Sequence, residues 1–268
     1  MKYKSINVRI LDYTPNPEQL CAIAAKNCQS RIMPKHVNSP EKLLDVVVGS
    51  GHYSVIEHAS ITYGIEGVSR ALSHQLVRHR IAAYSQQSQR HVPPESVIEP
   101  PRSVKENARA LEIFNKTTKD CTDGYNELIN ELNIPEEDAR YILQNRVTTN
   151  IVDTMNFREL VQSLFPQRIC ERAQTEIRNV SYAMLGGVKL IAPNIFKNAG
   201  TNCLIGQCKE TEKTPNCHKV RTNIKKLDDI IESYREEFNE LTPGEWMNID
   251  YVPMDFEFKT NFQIKKVC

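Results

Sequence analysis

Residues 78–90 read Arg78-His79-Arg80-Ile81-Ala82-Ala83-Tyr84-Ser85-Gln86-Gln87-Ser88-Gln89-Arg90. Arginine forks pair bidentately with phosphate or carboxylate, and Ser and Gln add neutral hydrogen bonds to a base, a sugar or a phosphate. The stretch has the composition of a clamp for a polar, anionic small molecule. A basic cluster alone would read as a solvated turn or as cations at a helix C-terminus, where the helix dipole favours them. The Tyr84–Ser88 segment is not covered by that explanation. Other candidates are weaker. His52-x4-Glu57-His58 does not have the His-Glu-x-x-His spacing of a zinc protease; His52 is a candidate cofactor contact and His58 a structural hydrogen-bonder. Arg168, Arg172 and Arg178 lie on one predicted helix, where Glu171 and Glu176 could make them ordinary surface ion pairs. Cys203-x4-Cys208-x8-Cys217-His218 offers zinc-ligand types without the usual close pairs, so loop packing or redox chemistry is preferred and no metal is expected. No G-x-S-x-G is present, and Ser88 has only His79 or His91 as a potential base, so it reads as a hydrogen-bond donor rather than a nucleophile.

These groups must be held by elements that the sequence outlines. Ile6, Val8 and Ile10 alternate as in a half-buried strand. A helix follows over about 17–28 with Leu20, Ile23 and Ala24 inward. Ser39-Pro40-Glu41 starts another, which runs to Val48 and ends at Gly49-Ser50-Gly51. Ala59, Ile61, Tyr63 and Ile65 alternate as a strand. Gly67 then precedes a helix with Val68, Leu72, Gln75 and Leu76, which delivers Arg78-His79-Arg80. A long amphipathic helix is predicted from Ser103, with Val104, Phe114, Tyr125 and Leu132 among its core residues. Pro135 opens a helix carrying Arg140, and Val147–Met155 is a strand. Asn156 or Thr154 caps a helix with Leu160, Val161 and Leu164 inward. A long helix over Arg168–Phe196, kinked near Gly186-Gly187, and a helix over Thr222–Leu241 complete the pattern; no structure is assigned after Pro243. The expected fold is α+β in a single domain, with few strands and many helices.

Composition narrows the function. Of 268 residues, Lys and Arg exceed Asp and Glu by one, so no basic field exists to hold a long nucleic acid. No apolar run reaches the roughly 20 residues of a membrane helix, and the N-terminus has no signal-peptide pattern, so a soluble cytoplasmic protein without a membrane partner is expected. The eight cysteines are then not a disulfide framework. Neither G-x-G-x-x-G nor G-x-x-x-x-G-K-[ST] occurs. A bound nucleotide would be held by arginines, hydroxyls and helix termini.

Arg78-His79-Arg80, seven residues and Ser88 together resemble the signature of the flavin-dependent thymidylate synthases. His52-Tyr53-Ser54-Val55-Ile56-Glu57-His58, Ser73-His74-Gln75-Leu76-Val77, Ala139-Arg140, Asn156-Phe157-Arg158 and Arg168 through Ile177 follow in the family's order, over roughly residues 5–200. The resemblance implies a small, mostly antiparallel sheet flanked by long helices, like that of thymidylate synthase-complementing proteins. It implies conversion of dUMP to dTMP with methylenetetrahydrofolate as carbon donor, FAD as hydride carrier and NADPH as reductant, in a homotetramer with shared sites. It assigns His52, Ser54, Arg78, His79, Arg80, Gln86, Asn156, Arg158 and Gln162 to FAD. Gln75, Arg78, Gln86, Gln87, Ser88, Gln89, Arg90 and Arg140 fall to dUMP, and Arg168 to activation of the pyrimidine. Residues 1–200 would be the catalytic domain, with 201–268 packed on it. His91, Gln86, Gln162 and Arg172 depart from residues common in the family. The Asn156–Arg168 gap is one residue longer than in some members, which implies a local bulge or a shifted helix start. The rival readings are a non-catalytic nucleotide- or RNA-binding protein and a zinc-stabilised module.

Overall fold

In the computed structural model, residues 2–3, 6–94, 96–208, 210, 217, 219–239, 246–251 and 263–267 are described, with 2–3, 205, 237–239, 246–251 and 263–267 as backbone only. The chain is α+β. Four antiparallel strands form the centre: β1 Ile6–Tyr13, β2 Ser60–Ser69, β3 Ala82–Gln86 and β4 Thr148–Asn156. β5 Trp246–Tyr251 and β6 Gln263–Val267 extend the sheet, giving the order β3-β4-β2-β1-β5-β6. The helices that bear on the site are α1 Pro17–Asn27, α2 Pro40–Gly49, α3 Arg70–Leu76, α4 Ala108–Asn130, α5 Thr175–Ile191 and α6 Lys219–Asn239.

The period-2 pattern of the strands sets their inner face. Ile6, Val8 and Ile10 of β1 are buried, as are Ile61, Tyr63 and Ile65 of β2 and Ile151, Asp153 and Met155 of β4. α5 covers this face. Val180, Ala183, Met184 and Val188 lie in the same core, and the Tyr63 hydroxyl donates to the Met184 carbonyl at 2.8 Å. α6 adds Val220, Leu227 and Ile231 to that core.

Several sequence expectations are revised. Val68 belongs to β2 and not to the helix. Gly67, with φ of +73°, makes a bulge and donates its N–H to Asn150 Oδ1, after which pairing with β4 resumes. β3 was not anticipated, and neither was the strand pair after Pro243. α1 turns Cys21, Ala22 and Ala25 inward and leaves Leu20 exposed. α4 lies mostly on the surface, with only Tyr125 fully inside and Leu132 exposed, so its apolar stripe is largely a half-buried face. The helix expected over Arg168–Phe196 is three pieces. Residues 169–174 form an irregular turn, α5 passes through Gly186-Gly187 without a break, and the interruption falls at Ala192-Pro193, where proline cannot continue the ladder. Arg168, Arg172 and Arg178 therefore do not share a helix.

A π-helical turn lies between Asn156 and Arg168, where a local bulge or a shifted helix start was expected. Phe157–Glu159 is α-helical, Leu160–Leu164 is π-helical and Phe165–Arg168 is α-helical again. The Phe165 N–H reaches the Leu160 carbonyl five residues back, and Pro166 supplies no N–H to compete. Asn156 caps the segment, accepting from Glu159 N at 2.8 Å, as its side chain suggested.

Candidate functional site

α3 is the scaffold of the site. Its first turn is pinned by long-range partners: Arg70 N donates to Val147 O and Ala71 N to Asn145 O. Ser69 Oγ accepts from Leu72 N at 3.0 Å, and the buried carboxylate of Glu176 on α5 accepts from Ser69 N at 2.7 Å and Ser69 Oγ at 2.5 Å. Seven residues at about 1.5 Å rise span roughly 10 Å, which separates Arg70 at one end from Arg78-His79-Arg80 beyond the other.

At the C-terminal end, His79 is buried and Arg168 meets it. Arg168 Nε donates to His79 Nε2 at 3.0 Å, and Arg168 Nη2 donates to the Gln75 carbonyl at 3.1 Å. Because Nε2 accepts, the ring proton sits on Nδ1 and points to Ser163 Oγ at 2.8 Å. Ser163 lies in the π turn, so the inserted turn positions the histidine that positions the arginine. Glu159 Oε1 stands 3.7 Å from the same Nδ1. Burial, then the Arg168 charge, push His79 down to about 4, so the ring is neutral at physiological pH. The Tyr84 hydroxyl donates to the Leu76 and His79 carbonyls at 2.9 and 2.8 Å, tying β3 to the end of α3. Gln75 Nε2 donates to Gln174 Oε1.

A second group forms around Arg70. Arg70 Nη2 donates to the Gln87 carbonyl at 3.1 Å, while Arg70 Nε is buried without an acceptor. Burial, and next the charge of nearby Arg140, lower its pKa. Arg90 Nε donates to Glu137 Oε2 at 2.7 Å and Arg140 Nε donates to the Glu137 carbonyl at 3.1 Å. Ser88 Oγ accepts from Arg90 N at 3.1 Å, and Gln89 lies in the same turn. Gln86 Nε2 donates to Ser73 Oγ at 2.8 Å. Three guanidiniums and a hydroxyl close together are the kind of donor set that an oxyanion needs. Arg70 had escaped sequence reasoning because a lone arginine at a helix start carries no local signal.

A third patch joins the 3-10 turn Tyr53–His58 to the helix after β4. Arg158 donates to Gln162 Oε1 at 2.5 Å and to Glu57 Oε1. Ser54 and His52 are exposed on the same turn, as are Arg78 and Arg80 after α3. The exposed arginines and the Ser54 hydroxyl are donors of the kind a dinucleotide diphosphate needs. In the cysteine loop Cys203 and Cys208 are free thiols, His218 and Cys268 fall outside the described residues, and among the described residues no three His, Cys, Asp or Glu side chains group as metal ligands. Arg172 pairs with Glu210 at 3.3 Å and Arg178 with Glu171 at 3.4 Å, the ordinary ion-pair role considered for them.

Asp153 was not singled out by the sequence. It is wholly buried on β4, and neither carboxylate oxygen has a hydrogen-bond partner. Burial, then neighbouring Glu159, push it up to about 7. His79 and Asp153 act on stability with opposite signs. His79, depressed when folded, contributes stability that is lost as pH falls through about 4. Asp153, raised when folded, contributes stability that is lost as pH rises toward about 7. Asp153→Asn should therefore gain on the wild type progressively between about pH 4 and 7. The gain then levels off at a few kcal/mol, at about 1.4 kcal/mol per pH unit. Urea unfolding across that range measures it, and a constant offset would show that Asp153 ionises normally.

The geometry defines an α+β protein with a cluster of guanidiniums at one end of α3 and the Arg168–His79 pair at the other. Residues 9–194 match the family model described as thymidylate synthase complementing protein, and the chain belongs to that family. It is similar to the flavin-dependent thymidylate synthase of Geobacter sulfurreducens, 44% identical over 236 residues, covering 83% of this chain and 97% of the relative. The enzymes of the same name from Clostridium tetani (42%, covering 78% and 92%) and Saccharolobus solfataricus (41%, covering 87% and 88%) are also similar.

Proposed function

We propose that this chain is a flavin-dependent thymidylate synthase in which Arg168 acts on the pyrimidine of dUMP and the Arg70 group holds its phosphate. The reaction is reductive methylation of dUMP to dTMP, with methylenetetrahydrofolate as carbon donor. FAD, when bound, supplies the hydride, and NADPH is the reductant. The observation that carries the reading is the state of Arg168. Its Nε and Nη2 are fixed by His79 and the Gln75 carbonyl, which leaves the Nη1 edge for a ligand.

The uracil ring becomes a better nucleophile as negative charge accumulates on it, and a preoriented guanidinium stabilises that charge without reorganising. The neutral His79 orients Arg168 without competing for an anion. Gln75 reads the base edge. Arg70, Ser88, Arg90 and Arg140 take the phosphate, with Gln86, Gln87 and Gln89 adding polar contacts. Glu137 holds Arg90 and Arg140 in register and must give up part of that contact to the nucleotide. Ser88 binds and does not attack, because His79, one of its two potential bases, is committed to Ser163 and Arg168. His52, Ser54, Arg78, Arg80, Asn156, Arg158 and Gln162 hold FAD, whose diphosphate suits the exposed arginines. Asn156 does so while capping its helix.

The working form is a homotetramer in the cytoplasm, with neighbouring copies completing each site. Its support is the exposure of Ile81 and Tyr141, 66% and 84%, directly beside Arg80 and Arg140: apolar surface next to ligand residues suits coverage by another copy or a planar ligand. Among the described residues no helix is long and apolar enough to cross a membrane. Residues 201–268 belong to the same domain as the catalytic part, in keeping with Val220, Leu227 and Ile231 in the shared core. Purified protein should carry flavin absorption or acquire it with FAD, and should then make dTMP from dUMP. A colourless protein that cannot be reconstituted counts against the reading.

A further inference from the structure

The segment that carries Arg168 touches Gln75 twice. Arg168 Nη2 donates to the Gln75 backbone carbonyl at 3.1 Å, and Gln174 Oε1 accepts from Gln75 Nε2. Gln174 is the last residue of the irregular turn at 169–174, directly before α5. That turn is stiffened from α5. Arg178 N donates to the Gln174 carbonyl at 3.0 Å, and Arg178 Nη1 donates to the Glu171 and Ala173 carbonyls at 2.9 and 3.2 Å. Gln174 is exposed and Gln75 half-buried, so their contact does little for the core. What it does is orient an amide. A glutamine has an acceptor end and a donor end of nearly the same shape, and it turns over readily when nothing distinguishes them. Gln174 takes the donor end of Gln75 and leaves Gln75 Oε1 available as an acceptor. Arg168, beside it, has donors and no acceptor.

We propose that Gln174 is a positioning residue that makes the site choose uracil over cytosine: it holds the Gln75 amide with its oxygen free to accept from the pyrimidine N3–H. The inference rests on the reading, given above, that Gln75 and Arg168 meet the base of dUMP. The pairing edge of uracil has one donor, N3–H, between two carbonyl oxygens. Cytosine has a bare nitrogen in place of that N–H and an amino group in place of one carbonyl. With Gln75 held as it is, dUMP finds an acceptor for N3–H and, on Arg168, a donor for the neighbouring carbonyl. dCMP finds an oxygen facing the lone pair of its N3 and a guanidinium facing its amino group. To suit cytosine, Gln75 has to turn over. That sets its oxygen against the Gln174 oxygen unless the second amide turns as well, so the wrong base is opposed by repulsion and not merely left without a contact.

The test measures, by calorimetry, the dissociation constants of dUMP and dCMP with FAD-loaded wild type, Gln174→Ala, Gln174→Glu and Gln75→Ala. The readout is the ratio of the two constants, which a general loosening of the turn at 169–174 would not move. Wild type should prefer dUMP by at least about tenfold, the cost of a hydrogen bond replaced by two facing acceptors. Gln174→Ala frees the Gln75 amide to turn over, and should bring that preference down by about three- to tenfold, weakening dUMP and admitting dCMP. Gln174→Glu offers Gln75 only acceptors and holds its amide the same way round. It should keep the preference even where its charge weakens both nucleotides alike. Gln75→Ala should lose affinity for dUMP and most of the preference with it. Equal losses for dUMP and dCMP in Gln174→Ala, or a preference lost in Gln174→Glu as well, overturn the proposal. Unchanged binding of both nucleotides in Gln75→Ala would instead overturn the placement of the base at Gln75, the reading on which the proposal stands.

Discussion

Arg168→Ala should lower dTMP formation by about 10²–10³-fold, the loss typical when one preoriented donor is removed from developing negative charge. Flavin should remain bound, because Arg168 contacts His79 and Gln75 rather than the Arg158 patch. Removing the guanidinium also frees His79 Nε2, and of the two causes that depress His79, burial first and then the Arg168 charge, the second disappears. The histidine should therefore titrate closer to its ordinary value in the variant, visible by NMR as a second, independent readout. Arg168→Lys should recover only part of the rate. A lysine restores charge but cannot bond His79 and the Gln75 carbonyl while presenting a third edge to the ring. Turnover equal to the wild type in the alanine variant would remove Arg168 from the chemistry.

Arg70→Ala should weaken dUMP binding by about 10–100-fold, from the 1.5–3 kcal/mol of a charge-assisted hydrogen bond. Arg70 is half-buried and Arg140 repels it, so an anion at this point relieves that repulsion. The effect should be confined to the phosphate. Binding of deoxyuridine, which lacks it, should barely change, whereas dUMP loses its advantage. Equal losses for both ligands would mean that Arg70 supports the fold through its bond to the Gln87 carbonyl instead of holding substrate.

The sequence was informative wherever a few adjacent residues carry the physics. The Arg78–Arg90 stretch, the alternation of β1, β2 and β4 and the Asn156 cap were legible because strand period and capping are local properties. Ambiguity arose where local patterns have two solutions. The apolar spacing of α4 could not say how deeply that helix is buried, and the helical appearance of 168–196 could not reveal the turn at 169–174, which Arg178 holds by donating to the Glu171 and Ala173 carbonyls.

Tertiary structure alone decided the direction in which the chemistry faces. His79 stands between two arginines in sequence and reads as another surface cation, yet it points inward, because Ser163 and Arg168, more than eighty residues away, offer it partners there. Glu176 looks like a surface ion-pair acid and instead caps α3 from the far helix. Arg70 and Asp153 carry no motif at all. Arg140 and Gln87 set the surroundings of the first, and the strand register sets the second between Tyr63 and Tyr84. Residue types in order determined which ligands this protein can hold. Which charges are buried, neutral or left facing a ligand depends on desolvation and long-range contacts, and these exist only once the chain has folded.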